Sequence, residues 1–180
     1  MKRLTRVFII LCCALMSACT FHLRSPASFP TALKYIYFST GTPYSELSTD
    51  LRQLLTSMDV VVVNNPKNAA FSIVISNDVF TYSRPQIMNT TLTSTLSFAQ
   101  TATVSIMENK NKKTLLSQPF STSQSLTLNA NQIYTADANA LMKRELNREI
   151  STLIYYWLIS KQVKDTLHHA TITSSTRHTS

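Results

Sequence analysis

The clearest pattern in the chain is a strict alternation of side-chain type between Leu92 and Ile106. Even positions are mostly apolar, and odd positions are almost all Thr or Ser. A period of two is that of a β-strand, whose successive side chains point to opposite faces. At roughly 3.4 Å per residue the segment predicts a strand, or a bent pair of strands, of roughly 50 Å. Because one face is rich in hydroxyls, we expect an antiparallel sheet with one side open to solvent.

The region before this strand has the pattern of a βαβ unit. Residues 34–39 alternate and are aromatic or β-branched, and residues 60–63 form a short apolar run, so both predict strands. Between them, Ser45 can cap a helix. The apolar positions of this helix form one stripe: Leu47, Leu51, Leu54 and Met58. The two strands are therefore expected to be parallel neighbours.

The long strand is flanked by further strands. Residues 71–75 and 79–82 predict two strands before it. After it, residues 108–113 predict a polar turn, and residues 114–128 can fold back as a hairpin partner. Pro119 within this partner favours an edge or a bulge, because proline has no N–H to donate.

The C-terminal part predicts one long helix from a cap at Asp137 to about Lys164. Its apolar stripe consists of Met142, Leu146, Ile150, Leu153 and Trp157. Residues 165–180 lack an apolar period and are predicted to be a disordered tail. The predicted class is α+β: a four- to five-stranded mixed sheet with two helices packed on one face. The order is βαβ, then two or three strands, then a helix, in a single domain over residues 34–164.

The N-terminus has the pattern of a bacterial lipoprotein signal. Basic Lys2, Arg3 and Arg6 precede an apolar stretch that is too short to span a bilayer, which needs about 20 residues. The motif Leu15-Met16-Ser17-Ala18-Cys19 then predicts removal of residues 1–18 and attachment of lipid to Cys19. A buried N-terminal helix or a transmembrane anchor is the alternative. Residues 19–33, polar and marked by prolines, are predicted to be a lipidated tether.

The predicted lipid consists of an N-acyl chain and an S-diacylglycerol on Cys19, and no other cofactor is expected. Thr20 follows the cysteine, and the lack of an aspartate there favours the outer membrane over retention in the inner membrane. The net charge of +8 is compatible with nucleic acid, anionic lipid or an acidic protein as partner. Export excludes nucleic acid, and general solubility accounts for the charge equally well.

The composition argues against an enzyme. Gly41 is the single glycine, so the chain has no glycine-rich phosphate loop, dinucleotide fingerprint or nucleophile elbow. Glu145 and Glu149 share a helix face, but Arg144 and Arg148 beside them make ion pairing the better explanation. The adjacent His168 and His169 lack a third metal ligand. We therefore expect neither a catalytic residue nor a metal site.

The residues after the cleavage site resemble the LptE family of lipopolysaccharide-assembly lipoproteins. The similarity is clearest in Cys19-Thr20-Phe21-His22-Leu23-Arg24, in which Thr20 stands where the family has glycine. Pro30, the turn around Gly41 and the helix that follows also fit. The resemblance implies an outer-membrane lipoprotein that plugs and helps assemble the LptD β-barrel and assists lipopolysaccharide insertion at the cell surface. Its partners would be that barrel, lipopolysaccharide and the inner leaflet of the outer membrane.

The resemblance also implies which residues make contacts. The turn at residues 108–113 would point up the barrel lumen, so Glu108, Asn109 and Asn111 are the predicted barrel contacts. Lys110, Lys112 and Lys113 form the densest positive cluster and are predicted to attract lipopolysaccharide phosphates, although a solvated turn accounts for them too. The alternative function is a periplasm-facing lipoprotein that carries lipids or acyl chains.

Overall fold

The computed structural model describes residues 29–83, 94–128 and 136–176. Within these ranges, five strands and three α-helices follow each other in the order β1, α1, β2, β3, β4, β5, α2, α3. Their bounds are Tyr35–Thr40 (β1), Glu46–Ser57 (α1), Val61–Val63 (β2), Phe71–Tyr82 (β3), Ser94–Glu108 (β4), Lys113–Leu128 (β5), Ala136–Leu158 (α2) and Lys161–Thr176 (α3). Short 3₁₀ turns occur at Thr31–Leu33 and Pro66–Asn68.

The strands form one mixed sheet in the order β2-β1-β3-β4-β5. β1 pairs in parallel with both β2 and β3, whereas β3–β4 and β4–β5 are antiparallel. The α+β class, the mixed sheet and the parallel βαβ unit are therefore confirmed. The described residues contain three α-helices, where the sequence predicted two.

The alternation along β4 produces the two faces that the sequence predicts. The even-numbered side chains from Leu96 to Ile106 are all buried, including Gln100. The odd-numbered side chains from Thr95 to Ser105 are exposed or half-buried. The buried face packs against α2, while the other face stays uncovered by the helices of the described residues.

β3 is one strand with a bulge, whereas the sequence predicted two separate strands. Its register with β4 shifts between Ser76 and Val79, and Asn77 takes a φ of 53°. Asn tolerates this left-handed conformation better than most residues. Asp78 is held in the bulge because it accepts hydrogen bonds from Gln100 Nε2 at 2.6 Å and Thr42 Oγ1 at 3.1 Å. The polar residues between Ser76 and Val79 thus form a bulge within one strand and do not separate two strands.

The helix cap at Ser45 is confirmed, but the buried stripe of α1 differs by one residue. The backbone N–H of Ser48 donates to Ser45 Oγ at 3.1 Å. Leu55, and not Leu54, completes the buried stripe with Leu47 and Leu51, so the half-buried Leu54 faces the groove beside α2. Residues four apart in a helix, such as Leu51 and Leu55, share a face just as residues three apart do, so either spacing can face the sheet.

The predicted disordered tail over residues 165–180 is wrong for its described part, because α3 continues to Thr176. The single predicted helix is instead broken after Leu158, and a new helix begins where Val163 N–H donates to Ser160 Oγ at 3.4 Å. Val163 and Leu167 are buried in the core. Val163 lies within the predicted helix, but Leu167 lies in the predicted tail, where apolar residues are too sparse to reveal a helix by periodicity.

The buried stripe of α2 also differs from the prediction. Leu146, Ile150, Ile154 and Leu158 are buried, whereas Leu153 is exposed. Trp157 is half-buried and packs edge-on against Phe120 of β5, with ring centroids 5.8 Å apart. The buried residues recur every four positions, so the contact line drifts around the helix as it crosses the sheet.

Pro119 lies on the outer edge of the sheet, as its lack of an N–H requires. Ser83 N–H donates to Ser97 O, and Asn109 N–H donates to Ala70 O, so the odd residues of β4 direct their backbone groups toward β3. Pro119 pairs with the odd residue Thr103, so its own backbone faces away from β4. Gln118 Nε2 also donates to the Pro119 carbonyl at 3.2 Å. A further strand therefore finds no N–H donor at Pro119 and meets a carbonyl that already accepts a hydrogen bond.

We predict that Pro119→Thr increases self-association of the protein. The change adds an outward N–H to an edge strand that is long and carries a charge only at Lys113. Analytical ultracentrifugation should show a larger dimer or oligomer fraction at the same concentration. Ser125→Thr is the matched control, because it introduces the same side chain on the same edge without adding a donor. Equal sedimentation of the two variants would contradict this role of Pro119.

Candidate functional site

The uncovered face of the sheet is a wall of small hydroxyl side chains. In the antiparallel register of β4 and β5, Ser97 lies opposite Ser125, and Thr101 lies opposite Ser121. Ser105 and Ser117 are joined through their hydroxyls at 2.9 Å. We call this surface the hydroxyl face; its residues are Thr95, Ser97, Ala99, Thr101, Thr103 and Ser105 of β4 and Ser117, Pro119, Ser121, Ser123, Ser125 and Thr127 of β5.

The hydroxyl face carries no ionisable side chain among these residues. Each Ser and Thr hydroxyl both donates and accepts hydrogen bonds, so it can pair with many polar surfaces. Removing a neutral hydroxyl from water is far less unfavourable than removing a charge. The face is therefore suited to lie against another polar protein wall.

The β1–β2 side of the same sheet face is apolar, a feature that the sequence analysis missed. Ile36 and Phe38 are buried under the helices, so Tyr35 and Tyr37 lie on the opposite face. Tyr35 pairs with Val61, and these side chains are 54% and 45% exposed. The alternation of residue types in β1 indicates that Tyr35 and Tyr37 share one face of the strand. Only the parallel pairing with β2 shows that Tyr35 and Val61 are neighbours on that face.

The turn between β4 and β5 is anchored to the body of the domain by Asn109. Its Nδ2 donates to Pro66 O at 3.0 Å and to Ala69 O at 2.8 Å, and Ser72 Oγ hydrogen-bonds to its Oδ1. Asn111 Nδ2 donates to Glu108 Oε2 at 2.7 Å. The predicted barrel contacts Glu108, Asn109 and Asn111 thus also bond within the protein, and their contact with a barrel stays a prediction.

The three lysines predicted to bind phosphate lie together at this turn. Lys110, Lys112 and Lys113 are all exposed, and Lys112 takes a φ of 51° in the turn. Lys113 pairs with Glu108, and Glu108 pairs with Phe71 of β3. Since Phe71 pairs with Ile36 near the start of β1, the turn lies at the end of the sheet where the chain enters from residue 29. The predicted lipidation site Cys19 lies outside the described residues.

A groove between α1 and α2 brings together charges that are distant in sequence. Asp50 and Gln53 of α1 face Arg144, Arg148 and Ser151 of α2 across a cavity of about 670 Å³. Lys143 Nζ lies 4.0 Å from Glu46 Oε2, next to the groove. The sequence assigned Arg144 and Arg148 to pairing within their own helix, but both line this groove. Only the packing of α1 on α2 could show this arrangement.

The Asp50 carboxyl is the group in this groove whose titration is shifted. Burial raises the pKa of Asp50, and the neighbouring Glu46 carboxylate raises it further. Arg148 and Arg144 act in the opposite direction without cancelling these effects. A carboxyl whose pKa is higher in the folded chain than in the unfolded chain stabilises the fold while protonated. That contribution is lost as pH rises through the folded-state pKa.

We predict that Asp50→Asn stabilises the protein at pH 7, because it removes an unfavourable ionisation. Since Asp50 is only partly buried, the expected rise in Tm is small, about 2 °C. The rise should shrink toward zero below about pH 3, where the wild-type carboxyl is largely protonated in both the folded and the unfolded chain. Thermal unfolding followed by circular dichroism at both pH values measures the effect. The exposed Asp165→Asn is the control, and a lower Tm for Asp50→Asn at pH 7 would contradict the prediction.

The described ranges contain neither a cluster of metal-ligating side chains nor a membrane-spanning helix. No group of three or more His, Cys, Asp or Glu side chains in residues 29–83, 94–128 and 136–176 could hold a metal ion. Of the helices in these ranges, none is both long and apolar enough to cross a membrane.

Comparison with known proteins identifies the fold. No family model and no curated protein matches the sequence. Among solved structures, the chain is similar to a minor lipoprotein from Acinetobacter baumannii, with a TM-score of 0.56 and 17% identity over 72% of this chain and 93% of that one. It is also similar to an uncharacterised lipoprotein B from Nitrosomonas europaea, with a TM-score of 0.53 and 16% identity over 83% and 96% of the two chains. This α+β domain therefore has a fold that occurs in bacterial lipoproteins.

Proposed function

We propose that this chain is an outer-membrane lipoprotein that plugs an LptD-type β-barrel, helps the barrel assemble and assists lipopolysaccharide insertion. The observation that carries the proposal is the hydroxyl face, which is long, neutral and uncovered in the described structure. The lumen of a large outer-membrane barrel is polar, and a plug must lie against that wall. A face of Ser and Thr meets this requirement because its hydroxyls exchange water for polar partners at small loss.

Two other features support the proposal. The fold is shared with bacterial lipoproteins, and the motif ending at Cys19 is typical of lipid attachment. Such a lipid would hold the domain at the membrane, since each buried methylene contributes about 0.8 kcal/mol. The hairpin of β4 and β5 is also long enough, at 15 and 16 residues, to extend through much of the thickness of a bilayer.

The test is affinity capture of the tagged, lipidated protein from detergent-solubilised outer membranes. We expect one large β-barrel protein to be recovered in equal amount, identified by mass spectrometry. The complex should survive high salt, because its neutral interface does not depend on screened charges. Absence of a barrel from correctly lipidated and folded protein would refute the plug function.

A second candidate function is that of a lipid or acyl-chain carrier. It is favoured by an apolar groove of about 600 Å³ between the segment at residues 29–32 and α3, lined in part by Phe29, Phe71 and Leu167. A carrier would bind a fluorescent fatty acid stoichiometrically at this groove, and Leu167→Ala would weaken that binding. A plug would show no saturable binding.

A further inference from the structure

Lysines from four separate parts of the chain lie at one end of the domain. We call this surface the lysine end; its residues are Lys34, Lys67, Lys110, Lys112, Lys113 and Lys164. All six side chains are exposed. In the sequence, three of them form a short cluster, whereas the other three are isolated.

The sheet register and the turns place these lysines together. Lys34 directly precedes β1, at the level where Ile36 pairs with Phe71 and Phe71 with Glu108. Lys67 lies in the 3₁₀ turn at Pro66–Asn68, which Asn109 holds against the β4–β5 turn through its bond to Pro66 O. That turn contains Lys110 and Lys112, and Lys113 follows it.

α3 contributes the sixth lysine from the other side of the sheet end. Lys164 lines the apolar groove of about 600 Å³ together with Phe29, Ala70 and Phe71. Ala70 and Phe71 stand at the start of β3, next to the Asn109 anchor. His168 and Thr171 of α3 line the same groove. The lysine end thus combines cations with an adjacent apolar recess.

Acidic side chains offset only part of this charge. Asp59 lines a small cavity with Lys34, and Asp165 is adjacent to Lys164 in sequence. Glu108 accepts a hydrogen bond from Asn111. The groove between α1 and α2 differs from the lysine end. There Glu46 and Asp50 lie near Lys143, Arg144 and Arg148, so negative and positive charges nearly balance. The positive excess is therefore concentrated at the lysine end.

The lysine end is also the end at which the chain arrives from Cys19. Phe29 lies at its groove, so residues 19–28 connect it to the predicted lipid. A fully extended segment of that length spans at most about 35 Å. A lipid at Cys19 in a bilayer thus confines the lysine end to the vicinity of the headgroups. This tethering raises the effective concentration of the lysines at the membrane surface.

We propose that the lysine end docks on anionic phospholipid headgroups of the leaflet that holds the lipid on Cys19. The inference rests on the lipid anchor of the proposed function but is independent of the barrel. The binding free energies of clustered lysines to an anionic bilayer add approximately, and the attraction falls off within a Debye length of the surface. The docking applies to the chain before a barrel encloses it; it directs the β4–β5 turn toward this leaflet and leaves the hydroxyl face free to contact a partner.

Flotation with lipid vesicles tests the docking without a barrel. The probe is the full mature chain with Cys19→Ser, so that only the protein surface can bind. Vesicles contain phosphatidylethanolamine with either one quarter phosphatidylglycerol or one quarter phosphatidylcholine. We expect binding to the phosphatidylglycerol vesicles at low salt, at least tenfold weaker binding to the neutral vesicles, and release by 0.5 M NaCl.

Two triple variants locate the binding surface. Lys110→Gln, Lys112→Gln and Lys113→Gln together should weaken binding at least tenfold. The matched control, Lys143→Gln, Arg144→Gln and Arg148→Gln, loses the same charge at the α1–α2 groove and should bind nearly as wild type. Circular dichroism checks that both variants are folded. Equal binding by the two variants, or equal binding to anionic and neutral vesicles, would overturn the proposal.

A third vesicle type separates phospholipid from lipopolysaccharide. Binding that requires added lipopolysaccharide, with none to phosphatidylglycerol, would overturn the phospholipid assignment. Capture of a barrel by the lipidated chain is measured separately. Failure of vesicle docking with normal barrel capture would refute only this inference, whereas docking without capture would refute only the plug function.

Discussion

Glutamate at both Ser97 and Ser121 is expected to abolish capture of the outer-membrane barrel while the domain stays folded. Both side chains are exposed on the hydroxyl face, and they are not directly opposite in the β4–β5 register. If this face lies against a barrel wall, each new carboxylate loses its hydration and gains no positively charged partner in exchange. That desolvation is unfavourable by several kcal/mol per ion, so capture should fall by at least tenfold.

Two control variants isolate the effect of charge on this face. Ser97→Thr with Ser121→Thr retains the hydroxyls and should capture the barrel as wild type. Thr49→Glu with Gln162→Glu adds the same charge at exposed helix positions and should also have no effect. The amount of barrel recovered per tagged protein is the measurement. A Ser97→Glu, Ser121→Glu protein that still recovered the barrel in equal amount would exclude the hydroxyl face as the contact.

Val163→Asp is expected to destabilise the domain by more than about 3 kcal/mol. The side chain of Val163 is fully buried in the cluster that contains Ile154, Leu158 and Leu167. The substitution removes apolar burial and places an ionisable group among buried apolar side chains. Such a loss is a large part of the stability of a domain of this size, so α3 would detach or the domain would unfold.

The neighbouring residue provides the matched control. Gln162→Asp introduces the same side chain one position earlier in the first turn of α3, where the position is exposed. An acidic residue near a helix N-terminus is neutral or slightly favourable, so its stability should be close to that of wild type. Urea unfolding followed by tryptophan fluorescence compares the two, since Trp157 lies just before this helix. Equal midpoints would mean that α3 contributes nothing to the core.

Local patterns predicted a large part of the fold. The alternation from Leu92 to Ile106 correctly predicted both faces of β4, and the cap at Ser45 correctly predicted the start of α1. The parallel βαβ pairing was also predicted correctly. These features depend on the period of side chains along a strand or helix, which the chain carries in every short window.

The errors occur where a few long-range contacts override weak local signals. Residues 165–176 of α3 were taken for part of a disordered tail because the buried Leu167 stands among Thr and His residues. The bulge at Asn77 was taken for a break between strands, although the bonds to Asp78 keep β3 continuous. In both cases a tertiary contact supplies the free energy that local propensity lacks.

The sequence by itself determined the α+β class, the hydroxyl face and the motif for lipid attachment at Cys19, because each depends on residues that are close together in the chain. Only the tertiary structure decided which distant residues became neighbours. It brought Lys34, Lys67 and Lys164 to the turn that holds Lys110 and Lys112, and it placed Asp50 beside Arg144 and Arg148. Strand register and helix packing are set by the whole core at once, so no short segment of the chain contains that information.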